Sequence, residues 1–591
     1  MNEVNRNRKA AVPVIFFYFL IVVGFWYFGH YSALPLLIAG VILAPVFWIT
    51  YLVVSYVGPK QSKLYGLEYL TSKLPAVKKA KGHVSFRNKM IWTGLVVILY
   101  FILTNVYVYG LNVQNSIDVF ASFRAIFAGA QGSIMDLGIG PIVTASIVMQ
   151  LFAGAKIFNI DLKNSEDKAI YQGVQKLLII VMIFVEAIPQ TFGYLVPDSS
   201  FVSSLNSIAP GYGLFLAQTA IILQLFVGSY LVFLFDELVS KYGIGSGVSL
   251  FIAAGVSQQL FTGTFNWLPT SPSLPLSITN LPAGAIPKTI YLVATQTSSY
   301  LYSTGIMTIL FGQNGMIALI GTVFIFFLVA YFQSSKLELP IAHERVRGAR
   351  GRYPIQLFYA SNIPVILATA LLANVAMWTL IFWGSPVLSA VPVLGHNPLL
   401  GSYPTSQLIS QYTINGVSQI SKTTPTGGLA FYLSSPNGLA NWLFPILSPG
   451  GYGSVLFWHT SWEEAVHVIA YVGFMVVASA IFAKFWIETT NMGSAAVARQ
   501  IQSSGMQIPG FRRDPKVMEK VLDRYIPAVT IFSGVAVGML AAGANLIGTV
   551  GQTSGTGLLL AVGIVIQFYE AMGREQLMEM HPVIRQFFAG A

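Results

Sequence analysis

The chain has 591 residues, of which 54% are hydrophobic and only 9% are charged, and its formal net charge is +11. Soluble domains carry about 25% charged residues, so this composition excludes an ordinary soluble protein and indicates a helical protein that crosses a membrane many times. The sequence contains no cysteine, which excludes disulfides and thiolate metal sites.

Apolar runs near the roughly 20 residues that cross a bilayer recur along the whole chain. They predict twelve spans, at residues 11–29, 33–57, 91–111, 138–154, 170–195, 213–235, 247–260, 316–332, 355–383, 465–486, 525–547 and 557–569. The first run lacks a small-residue cleavage site and a second run follows at once, so we interpret it as a retained span.

Basic residues are concentrated in alternate loops. The N-terminal tail and the loops after even-numbered spans are basic, whereas 262–304 carries only Lys288 and 384–460 only Lys422. By the positive-inside rule, both termini and the basic loops are cytoplasmic. The two nearly uncharged loops, 262–304 and 384–460, are then external. We expect them to form an ordered cap, because aromatic residues such as Trp442 and Trp458 need burial or an interface.

The run LGIGPIVTASIVMQ at 137–150 has an unusual beginning. Its first turn contains Gly138, Gly140 and Pro141, and a weakly hydrophobic segment precedes it. Such a start lets a short piece of chain fold back before the helix begins. Non-helical backbone at membrane depth is tolerated only inside protein or beside a water-filled path. The run is therefore a candidate pore wall, with a kinked packing helix as the alternative.

Catalytic motifs are missing from the sequence. There is no GxxxxGK[ST] motif, and His343–Glu344 lacks the second histidine of a zinc-binding HExxH. Ionisable residues are almost missing from the spans, and Glu186 is the clear exception. An intramembrane carboxylate is a functional candidate, and the alternative is a glutamate with a purely structural role. A secondary transporter should show more polar groups at its binding site. The residues favour a passive channel over a transporter, and a membrane enzyme ranks third. We predict no catalytic residue, cofactor or metal.

Four segments resemble the SecY family, the channel subunit of the protein-conducting translocon, in its archaeal form. They are LGIGPIVTASIVMQLFAG, DELVSKYGIGSGVSLFIAAGVSQ, ELPIAHERVRGARGRYPIQLFYASNIPVILA and IPGFRRD, in the family's order. The resemblance covers roughly residues 74–588. It implies an all-α polytopic membrane protein, in which spans three to twelve form a clamshell of two pseudo-symmetric five-helix halves. The pore between the halves would pass secretory chains and release membrane segments sideways.

The resemblance also implies a domain organisation. The predicted divisions are an extra two-helix hairpin at 1–65, an N-terminal half at 66–262, an enlarged external loop at 263–315 and a C-terminal half at 316–591. The N-terminal half contains a plug at 117–135. The C-terminal half contains cytoplasmic loops at 334–354 and 488–524 and an enlarged external loop at 384–463. The hairpin and both enlarged loops depart from the usual family pattern.

Two sets of intramembrane site residues follow from the resemblance. The pore ring consists of apolar residues that would seal the channel: Ile139, Val143, Val248, Ile252, Ile366 and Leu560. Branched side chains are stiff, and an apolar constriction excludes ions by dewetting. The lateral gate is assigned a polar cluster of Thr144, Glu186 and Asn374. Polar groups across a helix seam weaken an apolar closure and let a signal sequence compete for it.

A third set lies in the basic loops and concerns partners. The resemblance implies that the ribosome contacts Arg345, Arg347, Arg350, Arg352, Arg512 and Arg513. Guanidinium groups suit ribosomal RNA phosphates, although the positive-inside rule alone also places arginines there. Further implied partners are small single-helix subunits of the SecE and Sec-beta types, nascent secretory and membrane proteins, and lipids. The implied location is the plasma membrane, with both termini cytoplasmic.

Overall fold

The computed structural model of the chain describes most residues between Lys63 and Met580. The described residues are 63–78, 80, 82, 84–112, 116, 124–154, 164–270, 275–278, 280–312, 314–343, 350–356, 362–384, 395–404, 413–414, 417–418, 423–436, 438–447, 459–490, 492–503, 506–507, 515–551 and 553–580. The spans predicted at 11–29 and 33–57 lie outside the described residues, so the extra hairpin stays a prediction.

Within this described part, the fold is built mainly of helices. Those used below are α1 (Phe86–Thr104), α2 (Arg124–Phe127), α3 (Gly140–Gly154), α4 (Ser165–Gly193), α5 (Ser199–Ile208), α6 (Gly213–Tyr242), α7 (Gly247–Phe265), α8 (Ala285–Thr295), α9 (Ile306–Phe311), α10 (Met316–Ser334), α11 (Ile363–Gly384), α12 (Gly428–Leu433), α13 (Leu439–Leu447), α14 (Ser461–Thr489), α15 (Ser494–Ser503), α16 (Pro515–Ile547) and α17 (Gly555–Met580).

The membrane-crossing helices agree with the predicted spans. Among the described residues, nine helical stretches are long and apolar enough to cross a membrane, and the shorter α3 is a further apolar helix. Each of the ten predicted spans from 91–111 to 557–569 falls on one of these helices. This confirms the predicted polytopic helical fold.

The span predicted at 355–383 begins too early. Ile355 belongs to a strand, where it pairs with Leu337, and α11 begins at Ile363. Pro364 explains the later start, because a proline in the first turn loses no intrahelical hydrogen bond and its fixed φ suits a helix.

Helix α16 begins well before the predicted span at 525–547. Its early turns present Met518, Leu522 and Ile526 at every fourth position, and these residues pack with Val497 of α15 in one buried cluster. The apolar stripe of a helix that packs on a neighbour recurs at this spacing. The stripe is interrupted by charged residues in the sequence, so a search for continuous apolar runs does not detect it.

A small antiparallel sheet joins the two loops predicted to be cytoplasmic. Strand β1 (Lys336–His343) pairs with the whole of β2 (Arg350–Gln356), from Lys336 opposite Gln356 to Ala342 opposite Arg350. The short strand β5 (Met506–Gln507) pairs with the other edge of β1. A second, two-stranded ribbon, β3 (Thr413–Ile414) with β4 (Val417–Ser418), lies in the loop at 384–463.

The described residues group into two compact units. One falls within Met1–Ala76, Pro141–Glu186 and Glu488–Asn491. Its buried cluster contains Leu64, Leu67, Met149, Ile170 and Val174. The other falls within Val77–Gly140, Ala187–Ile487 and Met492–Ala591. In this second unit α17 packs against α7, α10 and α16, and α1 packs against α6.

The described parts of both enlarged loops contain regular structure, as expected for an ordered cap. The first loop contains α8 and α9, and the second contains α12 and α13. The indole Nε1 of Trp442 in α13 donates to the carbonyl oxygen of Leu546 at 2.9 Å, so the polar end of this aromatic ring has a partner. Trp458 lies outside the described residues.

In the second loop, stacked aromatic rings connect α12 to the residues at the start of α14. The ring of Phe431 in α12 stacks on the His459 imidazole, with centroids 3.9 Å apart and an interplanar angle of 14°. His467 lies against the same phenyl ring at 4.4 Å. Two carboxylates face these histidines: Glu463 approaches His459 at 3.5 Å, and Glu464 approaches His467 at 3.3 Å.

We expect acid to loosen this contact. Burial lowers the pKa of His459 below its usual range, with Glu463 opposing the shift. The folded cap therefore favours the neutral ring. The stabilisation that the neutral His459 ring gives the folded cap is complete above pH values of about 6.5, the pKa of histidine in an unfolded chain. This stabilisation is lost as the pH falls below that value. The hydrogen-exchange protection of the α12 amides, corrected for the slower intrinsic exchange at lower pH, should fall between about pH 7 and about pH 5. In His459→Phe, which keeps a stacked ring, this pH dependence should vanish; if it persists unchanged, His459 is not responsible.

Candidate channel site: plug seat, pore ring and gate pair

A buried ion pair lies between the predicted plug and the candidate pore helix. Arg124, at the start of α2, places Nη2 3.1 Å from Oδ1 of Asp136, and the two side chains are 5% and 1% exposed. The Nη1 group of Arg124 also donates to the backbone carbonyl of Asp136. Burying two charges is costly unless they are paired and hydrogen-bonded, so this contact constrains where α2 can lie.

Two further donors complete the surroundings of the Asp136 carboxylate. The backbone N–H of Gly132 donates to Oδ1 at 2.9 Å, and the Gln190 side-chain amide donates to Oδ2 at 2.7 Å. Sequence reasoning missed Arg124 and Asp136, because the plug at 117–135 was placed from the family resemblance and no role was assigned to its charged residues. The available signal was Arg124 inside the predicted plug and Asp136 directly after it, in a stretch where Asp118 is the one other charged residue.

The backbone after α2 folds tightly against the start of α3. The Ile139 N–H donates to the Phe127 carbonyl oxygen at 2.7 Å, and the Tyr100 hydroxyl donates to the Ala128 carbonyl oxygen at 2.8 Å. Gly138 has φ +54°, and a Cβ there would lie 2.1 Å from the Phe127 oxygen. Only glycine fits this position without strain. We call residues 124–139, with these contacts, the plug seat.

Ala128 carries backbone strain inside the plug seat. Its φ is +51°, a left-handed conformation that costs a non-glycine residue roughly 1–2 kcal/mol. The surrounding hydrogen bonds and the buried ion pair hold it there. The plug seat is thus a segment whose conformation depends on its contacts rather than on local backbone preference.

The plug seat adjoins helices that carry predicted ring residues. Helix α2 packs against α7 and α17. Val248 and Ile252 lie one turn apart at the start of α7, and Leu560 lies in the second turn of α17. The short plug helix therefore contacts elements on which three of the six predicted ring residues are found.

The ring residues themselves are removed from solvent. Ile139, Ile252 and Leu560 are completely buried, Val143 and Ile366 are nearly so, and Val248 is half-buried. Ile366 lies in the first turn of α11. Burial fits both a closed constriction and ordinary core packing, so their assignment as one ring stays a prediction.

Two of the three predicted gate residues are in direct contact. The Thr144 hydroxyl donates to Oε1 of Glu186 at 2.8 Å, and both side chains are buried. Pro189 sits one turn beyond Glu186 inside α4, where a proline removes a backbone hydrogen bond and favours a bend. Asn374 lies on α11, and its side-chain amide donates to the Ala370 carbonyl at 2.8 Å.

Loss of the Thr144 hydroxyl should destabilise the protein. In Thr144→Val the Glu186 carboxyl loses a buried hydrogen-bond partner, at a cost of about 1–3 kcal/mol. Thr144→Ser keeps the hydroxyl and serves as the control. We expect a lower thermal unfolding temperature for the valine variant in detergent. Equal unfolding temperatures of the two variants would mean that this hydrogen bond contributes nothing measurable.

The predicted ribosome-contacting arginines are only partly described. Arg350 and Arg352 lie in β2, opposite Ala342 and Pro340 of β1. Arg345, Arg347, Arg512 and Arg513 lie outside the described residues. The pairing of β1 with β5 connects the backbones of the two loops that carry the arginines. In the described part of the chain, no group of three or more histidine or acidic side chains is placed to hold a metal ion.

Comparisons with known proteins match nearly the whole chain. A family model described as SecY matches residues 133–569, and one described as the plug domain of Sec61p matches residues 98–132, overlapping the predicted plug. The chain is 43% identical over 526 residues to protein translocase subunit SecY of Archaeoglobus fulgidus, covering 89% of this chain and 98% of the relative. The same subunit of Haloferax volcanii is 43% identical over 525 residues, covering 88% and 98%.

Solved structures of similar proteins share the fold. One is a protein-conducting channel, with a TM-score of 0.66. Another is Sec61 in the canine ribosome–channel complex from the endoplasmic reticulum, with a TM-score of 0.63. Each is 35% identical to this chain and covers 88% of it, and the match spans 99% of each solved chain.

Proposed function

Since the chain belongs to the SecY family, we propose that it forms the protein-conducting channel of a membrane translocase. The plug seat is the observation that carries this proposal. A short helix is held by a buried ion pair against the start of an apolar helix, next to the helices that bear predicted ring residues. Such a segment can close a pore at rest and leave when the pore is occupied.

The apolar ring would seal the pore around a moving chain. Ile139, Ile252 and Leu560 present no charge or hydrogen-bonding group, so a polypeptide can slide past them while water and ions are excluded. The channel is passive in this account: it catalyses no reaction, and the driving force comes from the ribosome or another partner. One solved relative is itself part of a ribosome–channel complex.

The Thr144–Glu186 contact supports a lateral gate. A polar pair buried in an apolar setting costs more to desolvate than an apolar contact. A gate that contains such a pair closes less firmly than an all-apolar seam, so a hydrophobic signal segment can compete with it. Asn374 is proposed to complete this polar cluster.

The proposed assembly is a heterotrimer in the plasma membrane. Small single-helix subunits of the SecE and Sec-beta types would accompany the channel, and both termini would be cytoplasmic as the charge distribution predicts. Nascent secretory and membrane proteins are the substrates, and lipids surround the helices. Purification in mild detergent should retain the two small subunits.

Reconstitution tests the proposed activity. Proteoliposomes that contain the purified complex should make a signal-bearing chain, delivered by stalled and then released ribosomes, resistant to added protease. The same chain without its signal should remain digestible. Protection that is equal for both chains, or absent for both in an intact complex, would contradict a signal-gated protein channel.

Charge reversal in β2 tests the ribosome contact. If Arg350 contacts an RNA phosphate, Arg350→Glu should weaken ribosome binding and lower the slope of log affinity against log salt by about 1. Lys336→Glu, at the other end of the same hairpin, is the matched control and should change binding less. Unchanged affinity and salt slope in Arg350→Glu would assign this arginine to membrane topology alone.

A further inference from the structure

Helix α8 in the first enlarged loop buries its only charged residue and exposes large apolar side chains. Its inward face contains Ala285, Lys288 and Leu292, all buried. Its outward face contains Ile290 and Val293, which are 49% and 59% exposed. A helix on a water-exposed surface places its charges outward and its apolar residues inward. Helix α8 departs from this pattern, because it buries its one charged residue and exposes two large apolar side chains.

The neighbouring helical segment also exposes large hydrophobic side chains. Tyr302 in the π-helical turn Leu301–Gly305 is 80% exposed, and Ile306 and Met307 at the start of α9 are also exposed. We call the exposed residues of α8, the π-helical turn and α9 the apolar shelf: Ile290, Val293, Tyr302, Ile306 and Met307. Between residues 261 and 312, Lys288 is the only charged residue, and it points away from the shelf.

The shelf is fixed to the ends of two membrane-crossing helices. The Gly284 N–H, just before α8, donates to the Asn266 carbonyl just after α7 at 2.9 Å. The buried Lys288 ammonium donates to the Asn314 carbonyl at 3.0 Å, and the Asn314 side-chain oxygen accepts from the Gly551 N–H at 2.9 Å. Helix α8 also packs against α7 and α10. The shelf is therefore held beside the membrane-crossing helices.

Exposed apolar residues continue from the shelf on both sides. Phe261, Phe265 and Trp267 are exposed at the end of α7. On α10, Ile320, Val323, Phe324 and Phe327 are exposed on a helix that is apolar enough to cross the bilayer. Aromatic residues near the ends of membrane helices typically lie at the membrane–water interface. The shelf thus continues an exposed apolar surface of helices that are long and apolar enough to cross a bilayer.

We propose that the apolar shelf is a lipid-binding surface that lies in the interfacial layer of the bilayer, on the side where α7 ends and α10 begins. Charge distribution predicts that this side is external. The shelf would insert its aliphatic side chains among the acyl chains, with Tyr302 near the headgroups, as interfacial helices do. Because the surface carries no exposed charge, the binding would depend on apolar contact rather than on anionic lipid.

Site-directed labelling tests this proposal in the full complex. The chain has no cysteine, so Ile290→Cys and Val293→Cys each give a single site for a fluorophore. Phe327→Cys on α10 is the lipid-exposed control, and Ser204→Cys, exposed on the serine-rich α5, is the water-exposed control. Labelled complexes that retain translocation are reconstituted in vesicles with quenchers attached either to lipid chains or to a water-soluble ion.

We expect the labels at Ile290 and Val293 to resemble the label at Phe327. Lipid-attached quenchers should reduce their fluorescence several-fold more than that of the Ser204 label, and this should hold in neutral and in anionic vesicles. Quenching by the aqueous ion at the level of Ser204 would show that the shelf faces water, and would overturn the proposal. Protection from both quenchers would show that a second chain or a small subunit covers the shelf, and would overturn it as well.

Discussion

Replacing Asp136 by alanine should release the plug and let the resting channel conduct ions. The substitution removes the carboxylate that is paired with the buried Arg124 guanidinium. Breaking a buried ion pair in this way typically costs about 3–5 kcal/mol. The same substitution also removes the acceptor used by Gly132 and Gln190.

Planar-bilayer recording of the purified complex measures this effect. Asp136→Ala should raise the resting conductance, and Arg124→Leu with Asp136→Leu should raise it less, because both charges of the buried pair are removed together. Thermal unfolding in detergent separates release of the plug from collapse of the fold. A folded Asp136→Ala complex that is as tight as the parent would show that the ion pair does not hold the plug closed.

Polar substitution in the pore ring should wet the constriction. Ile139→Ser combined with Ile366→Asn removes two bulky apolar side chains, each of which contributes about 2–5 kcal/mol in a packed core. A ring that is partly solvated should lose less, yet a change of about 1.4 kcal/mol already shifts an open-to-closed ratio tenfold. We expect higher ion conductance and acceptance of weaker signal sequences, because the closed state has lost packing and dewetting energy.

A matched control is available on a membrane-crossing helix. Ile320→Ser changes an exposed residue of α10 and should leave conductance unchanged. If the double ring variant stays as tight as the parent even when the plug is also deleted, these residues do not form the seal and the pore lies elsewhere.

The helical architecture could be predicted because a bilayer imposes a length on each span. Runs such as 213–235 and 465–486 exceed the length needed to cross, and α6 and α14 contain them with additional turns at one or both ends. Those additional turns could not be predicted from apolar runs. In α14 the first turn contains Glu463 and Glu464, which stabilise the N-terminus through the helix dipole but interrupt the hydrophobic signal.

The contacts that define the site were less accessible to sequence reasoning. Strand β1 pairs with β5, which lies more than a hundred residues later in the sequence. Neither strand has a local sequence pattern from which its pairing partner could be predicted. The Arg124–Asp136 pair bridges only a short loop, but its geometry depends on the left-handed backbone at Ala128 and Gly138. The contact between Thr144 and Glu186 was within reach, since the resemblance had already placed both residues at the gate.

Crosslinking of an arrested secretory chain to the ring residues tests whether the pore passes through this ring. A photoreactive residue is placed at Ile252 or Ile366, and the matched control is the exposed Phe327 of α10. With a ribosome-stalled chain inserted in the channel, the account predicts strong crosslinks from both ring positions and weak ones from Phe327. In an active complex, absence of ring crosslinks with a chain of sufficient length would contradict a pore through this ring and would favour the transporter alternative.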